Sequence, residues 1–110
     1  MAKLDLRTGS TAVMILRLLA EKPMYGYQIV KELQTRSEGY FNLEQGTLYP
    51  ALHRLEKDGL VESRWEVVED GPSRKYYHIT TEGRTELQQS AQQWSDFSRN
   101  LLKLLQGTSS

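Results

Sequence analysis

Between residues 44 and 60 the chain reads E-Q-G-T-L-Y-P-A-L-H-R-L-E-K-D-G-L, and its contact-forming side chains recur at helical spacing. Advancing about 100° per residue, Gly46, Thr47, Pro50, His53, Arg54 and Lys57 share one side of a helix. Leu48, Leu52 and Leu55, at i, i+4 and i+7, share the other. Short, polar, partly basic side chains on an outward face can lie in a groove and offer donors to phosphates or base edges. A second basic pair, Arg74-Lys75, follows a stretch that reads as a turn, Glu69-Asp70-Gly71-Pro72-Ser73. Tyr25 stands next to a helix start at Gly26, where its hydroxyl either packs or reaches a phosphate. Catalysis finds no support. His53 and His78 fall on different elements with no nucleophile or metal-ligand partner at useful spacing, and no glycine loop follows a strand to cradle phosphate. No cofactor is called for.

The elements that must position these residues belong to one domain, since the chain has 110 residues. There is no cysteine, which excludes disulfides and thiolate metal sites. The beginning of the chain lacks a signal-peptide core. Its longest apolar run, interrupted by Arg17, is too short to span a bilayer, so no membrane is expected and a cytoplasmic location is. Fourteen basic residues balance 14 acidic ones, which predicts weak non-specific affinity for nucleic acid but leaves room for a local basic patch.

Residues 1–7 read as a polar arm carrying Lys3 and Arg7, either frayed or in contact with phosphate. Gly9-Ser10-Thr11 offers capping chemistry to a first helix in which Val13, Ile15, Leu16, Leu18 and Leu19 are apolar nearly all round. Lys22-Pro23 ends it. A second helix starts at Gly26 and turns Ile29, Val30 and Leu33 inward; a glycine there implies close backbone approach or a cap. Tyr40 and Phe41 are expected to plug the core edge, and Gly59 to stop the third helix. Beyond Gly59 the period changes to alternation. Val61, Ser63, Trp65 and Val67 face one way, and Arg74 to Thr80 returns as a second strand. Asp70-Gly71 is the hairpin signal, and Trp65 is expected to anchor the hairpin on the helices.

Thr81 is expected to cap a last helix that Gly83 weakens slightly. Leu87, Ala91, Trp94, Ser98, Leu101 and Leu105 follow at alternating steps of four and three, a seam of almost three heptads. Phe97, Leu102 and Leu104 widen it. With nothing downstream to cover the stripe, self-association is the reading. The fold class is therefore α+β: a winged helix-turn-helix with a long C-terminal dimerisation helix. Residues 1–80 form the DNA-binding domain, 81–106 the dimerisation helix and 107–110 a disordered tail. In such a fold the third helix enters the major groove.

M-Y-G-Y-Q-I at residues 24–29, G-T-L-Y-P-A-L-H-R-L-E-K-D-G-L at 46–60 and R-K-Y-Y-H-I-T at 74–80 closely resemble the PadR family of bacterial transcriptional regulators. The resemblance covers residues 9 to 83, and the single C-terminal helix resembles the family's short subgroup. It implies a cytoplasmic homodimer on a palindromic operator in double-stranded DNA, usually a repressor released by a small molecule. Carried over, Gln45, Thr47, Tyr49, Pro50, His53, Arg54 and Lys57 belong to the recognition helix, and Arg74, Lys75 and Tyr76 to the wing. Trp94 resembles the aromatic wall of a pore between subunits, where a planar aromatic ligand would stack; filling the dimer core is its other use. An acidic hairpin and neutral charge leave a competing reading, a winged-helix protein-interaction module that binds no operator.

Overall fold

A computed structural model describes residues 8–67, 69 and 71–107. The expected arm at residues 1–7, residues Val68 and Asp70 of the hairpin, and residues 108–110 of the tail lie outside them. The elements run α1 (Thr8–Leu19), β1 (Met24–Tyr25), α2 (Gly26–Arg36), α3 (Gln45–Lys57), β2 (Val61–Glu66), β3 (Arg74–Ile79) and α4 (Thr81–Leu105). The strands form an antiparallel sheet in the order β1-β3-β2. The architecture is the expected winged helix-turn-helix with a long last helix.

The core follows from the apolar spacing. Ile15, Leu16, Leu18 and Leu19 of α1, Ile29 and Leu33 of α2, and Leu48, Leu52 and Leu55 of α3 are all buried. Each such side chain contributes about 1.5–3 kcal/mol relative to exposure. The three leucines of α3 therefore hold its inner stripe firmly and leave the opposite face free. Ser63 Oγ of β2 donates to Glu56 Oε2 of α3 at 2.5 Å, which ties the hairpin to that helix.

Several expectations are corrected. α1 begins at Thr8, so Gly9, Ser10 and Thr11 lie inside it, where burial of Thr11 against the core outweighs the capping preference. β1 was not foreseen: two residues are too few to show a period, and only pairing with Tyr76 and Tyr77 makes them a strand. Tyr40 is 83% exposed and Phe41 is exposed too. Left-handed backbone at Glu38 (φ 52°) and Gly39 (φ 85°) turns the chain so that Leu43, rather than the two rings, packs on the core. Pairing of the hairpin ends at Glu66 with Arg74, so Val67 lies in the connection and not in the strand.

Trp65 does not anchor the hairpin. It is 69% exposed, because the helices cover the sheet at Val61 and Tyr77 and β2 runs on past them. Pro50 stands in the second turn of α3, so the bond from its position to the Gly46 carbonyl is missing. Thr80, not Thr81, caps α4: its Oγ1 accepts from Gly83 N–H at 3.0 Å and donates to the Gly59 carbonyl at 2.7 Å. Gly83 is buried at that junction, where a Cβ would meet the Leu60 carbonyl and lie 2.7 Å from Ile79 Cγ1. Its role is close approach rather than weakness.

Candidate nucleic-acid interface

The face of α3 opposite its leucines is open. Gln45, Gly46, Thr47, Pro50, His53, Arg54 and Lys57 are all exposed. Glu44 precedes the helix in extended backbone and its carbonyl accepts from Thr47 and Leu48 N–H at 2.9 Å. The N–H groups of Gln45 and Gly46 have no acceptor within the helix, as at any helix start, and Gly46 adds no side chain to shield them. Tyr49 sits at the border, 44% exposed. Its ring lies across Gly26 at the start of α2, where a Cβ would fall 2.8 Å from Tyr49 Cζ. Glycine at residue 26 is thus what lets α2 seat the ring.

Beside α3 the sheet completes a groove of about 500 Å³ lined by Tyr25, Tyr49, Trp65, Arg74, Lys75 and Tyr77, among others. The Arg74 guanidinium lies 4.4 Å from the centre of the Tyr25 ring, and Tyr25 meets Tyr76 edge-on at 5.4 Å. Lys75 Nζ lies 5.8 Å from the Tyr77 ring centre. Burial pushes the Tyr77 hydroxyl pKa up, with the charge of Glu56 and the neighbouring Tyr49 adding to it. That hydroxyl stays protonated and adds no negative charge to the groove wall.

Ion pairs within the chain engage some of its cations and not others. Arg17 pairs with Glu21, Arg36 with Glu21 and Glu32, Arg64 with Glu62, and Arg99 with Asp96. Among the described residues, Arg54, Lys57, Arg74 and Lys75 form no ion pair. The cations of α3 and of β3 are therefore available to an external anion, while Arg64 of β2 and much of the remaining arginine charge are neutralised by partners within the chain.

The chain matches the model of the transcriptional regulator PadR-like family over residues 15–89. It belongs to that family. Members are transcriptional regulators rather than enzymes. The chain is 33% identical over 98 residues to the transcriptional regulator Rv3488 of Mycobacterium tuberculosis, spanning 89% of this chain and 88% of that one. It is 38% identical over 96 residues to an uncharacterised protein X of Lysinibacillus sphaericus, spanning 87% and 88%. Among solved structures, a transcriptional regulator from Clostridium thermocellum superimposes with a TM-score of 0.81 at 33% identity, covering 91% of this chain and 97% of that one. A PadR family regulator from Eggerthella lenta gives 0.79 at 36% identity, covering 94% and 88%.

The PadR-like fold brings Tyr25, Tyr49, Arg74 and Lys75 to one groove and leaves the rest of the α3 set exposed beside it. Tyr76 backs the wing, half-buried against Tyr25. Sequence reasoning missed one exposed ring at this edge, Trp65, because alternation put it on the core side; Tyr27 is exposed there too. Farther off, α4 carries the apolar seam. Leu87 packs on the chain's own core, Trp94 and Phe97 meet edge-on at 5.8 Å, and Leu104 and Leu105 are 77% and 70% exposed. Ala91, Ser98 and Leu101 are exposed along the same helix. Among the described residues there is no group of three or more His, Asp or Glu able to hold a metal, and no helix long and apolar enough to cross a membrane.

Proposed function

We propose that the chain is a cytoplasmic, sequence-specific DNA-binding repressor that acts as a homodimer on a palindromic operator. The observation that carries the reading is the set of cations Arg54, Lys57, Arg74 and Lys75, which form no ion pair among the described residues, beside the exposed face of α3. The α3 residues Gln45, Thr47, Tyr49, Pro50, His53, Arg54 and Lys57 enter the major groove, with Arg54 as the best placed for a base edge. Tyr25, Arg74, Lys75 and Tyr76 serve the wing, where they contact the backbone. Residues 1–80 are the DNA-binding unit and 81–106 the dimerisation helix. Two copies joined through α4 present two α3 helices to two half-sites. The unpaired cations favour this reading over the interaction module, which has no need of them.

Release is by a small planar aromatic molecule stacking on Trp94. Support comes from the half-buried Trp94–Phe97 pair on the seam, which a partner helix would roof. Selection of bound duplexes from a random pool tests the function. The reading expects a two-fold symmetric consensus with half-sites about one helical turn apart. Recovery of no consensus, with a protein partner captured instead, contradicts it.

A further inference from the structure

The hairpin carries an exposed tryptophan that neither the fold nor the recognition helix accounts for. Trp65 is paired across the strands with Lys75, so the two side chains leave the same face of the sheet as neighbours. Directly opposed residues on one face stand about 4.5–5.5 Å apart at Cβ. An ammonium group and a broad apolar ring are thus held side by side at the lip of the groove that Tyr49 and Arg74 also line. Such a pair matches a chain that alternates an anion with a compact, weakly polar ring. The sugar–phosphate strand of a DNA duplex is such a chain.

We infer that Trp65 is a DNA contact, its ring packing on a deoxyribose of the strand whose phosphates Arg74 and Lys75 hold. The assignment rests on the DNA-binding reading above and extends it to a residue outside the recognition helix and the basic tip. Two features favour this occupant. Lys75, which forms no ion pair among the described residues, stands directly across from the ring on the same face, as an anionic strand requires. The ring also lies past the end of the helix layer, on a rigid strand tied to α3 through Ser63 and Glu56, so it stays at a fixed offset from the recognition helix. A sugar contact of this kind carries no base information, so it raises affinity on every sequence alike.

Because the side chain is exposed, Trp65→Ala is expected to fold with unchanged far-UV circular dichroism. It should bind the selected operator and a scrambled duplex each about five- to tenfold more weakly than wild type, as expected for the loss of one packed aromatic contact. The slope of log affinity against log salt should stay at the wild-type value, because no phosphate contact is lost. Trp65→Phe should recover most of the affinity. Operator addition should change the tryptophan emission of the wild type by more than that of Trp65→Phe, which retains only Trp94. Unchanged affinity in Trp65→Ala, a flattened salt slope in that variant, or an emission change undiminished in Trp65→Phe overturns the assignment while leaving DNA binding intact. Should the wild type bind no duplex, the DNA reading itself fails and this assignment with it.

Discussion

Replacing Gly83 by alanine tests whether α4 is seated by close approach rather than tolerated despite a glycine. Helix propensity alone favours alanine by up to about 1 kcal/mol. The structure opposes it, since a Cβ there meets the Leu60 carbonyl and lies 2.7 Å from Ile79 Cγ1 and 3.1 Å from Leu60 C. That carbonyl is already held by Thr80 N–H at 3.1 Å, and Thr80 Oγ1 holds Gly83 N–H at 3.0 Å. Relief needs the first turn of α4 to move off the sheet. Overpacking of this kind costs about 1–3 kcal/mol, and each lost hydrogen bond about 1 kcal/mol more. Set against the propensity gain, the net loss is roughly 2–3 kcal/mol. Thermal unfolding of a domain this size shifts by about 4–8 °C per kcal/mol, which gives a fall in Tm of roughly 8–24 °C. Thr80→Ala, which removes the cap alone, should lose about 1 kcal/mol. The two changes share one turn, so the double variant should lose less than their sum. A Gly83→Ala protein as stable as wild type would refute the close-approach argument.

Three further outcomes follow from other parts of the molecule. The Arg36 guanidinium, assisted by Arg17, holds the Glu21 carboxyl at about 2 instead of its ordinary 4.5. Its stabilisation is therefore complete above pH 4.5 and lost as pH falls toward 2, so the stability gap between wild type and Glu21→Gln should narrow over that window in urea melts at fixed salt; a constant gap would show that the pair does not titrate. Leu101→Glu or Leu105→Glu should weaken self-association about tenfold or more, as each removes a leucine from the proposed interface, while far-UV circular dichroism is kept; sedimentation that shows an unchanged dimer would move the interface elsewhere. Planar aromatic compounds should quench tryptophan emission, and Trp94→Ala should abolish most of the change. Loss of the quenching in Trp65→Phe instead would place the ligand at the wing.

Legibility in the sequence varied with the range of the forces involved. The inner stripe of α3 was plain because Leu48, Leu52 and Leu55 repeat at the helical period, and burial depends on that repeat alone. The outward face followed by subtraction. β1 escaped because Met24 and Tyr25 become a strand only through partners some 50 residues later. Alternation assigned Trp65 to the correct side of β2, yet could not say where the helix layer stops, and the ring falls beyond that edge. Gly83 looked like a poor helix former since propensity is a local property, whereas its reason for being there is the Leu60 carbonyl from another element. Zero net charge spoke against a DNA partner until the ion pairs of Arg17, Arg36, Arg64 and Arg99 separated neutralised cations from those with no ion pair among the described residues. A composition count cannot make that separation.

The most direct test of the DNA-binding account is the affinity of the full chain for its selected operator and for a scrambled duplex across a salt series, for wild type and for Arg54→Ala and Arg74→Ala. The account predicts a strong preference for the operator and steep weakening with salt. Arg74→Ala should lower affinity on both duplexes and reduce the slope by about one. Arg54→Ala should cost about 1–3 kcal/mol on the operator and little on the scrambled duplex. Equal affinity for the two duplexes, or a salt slope near zero, would contradict it.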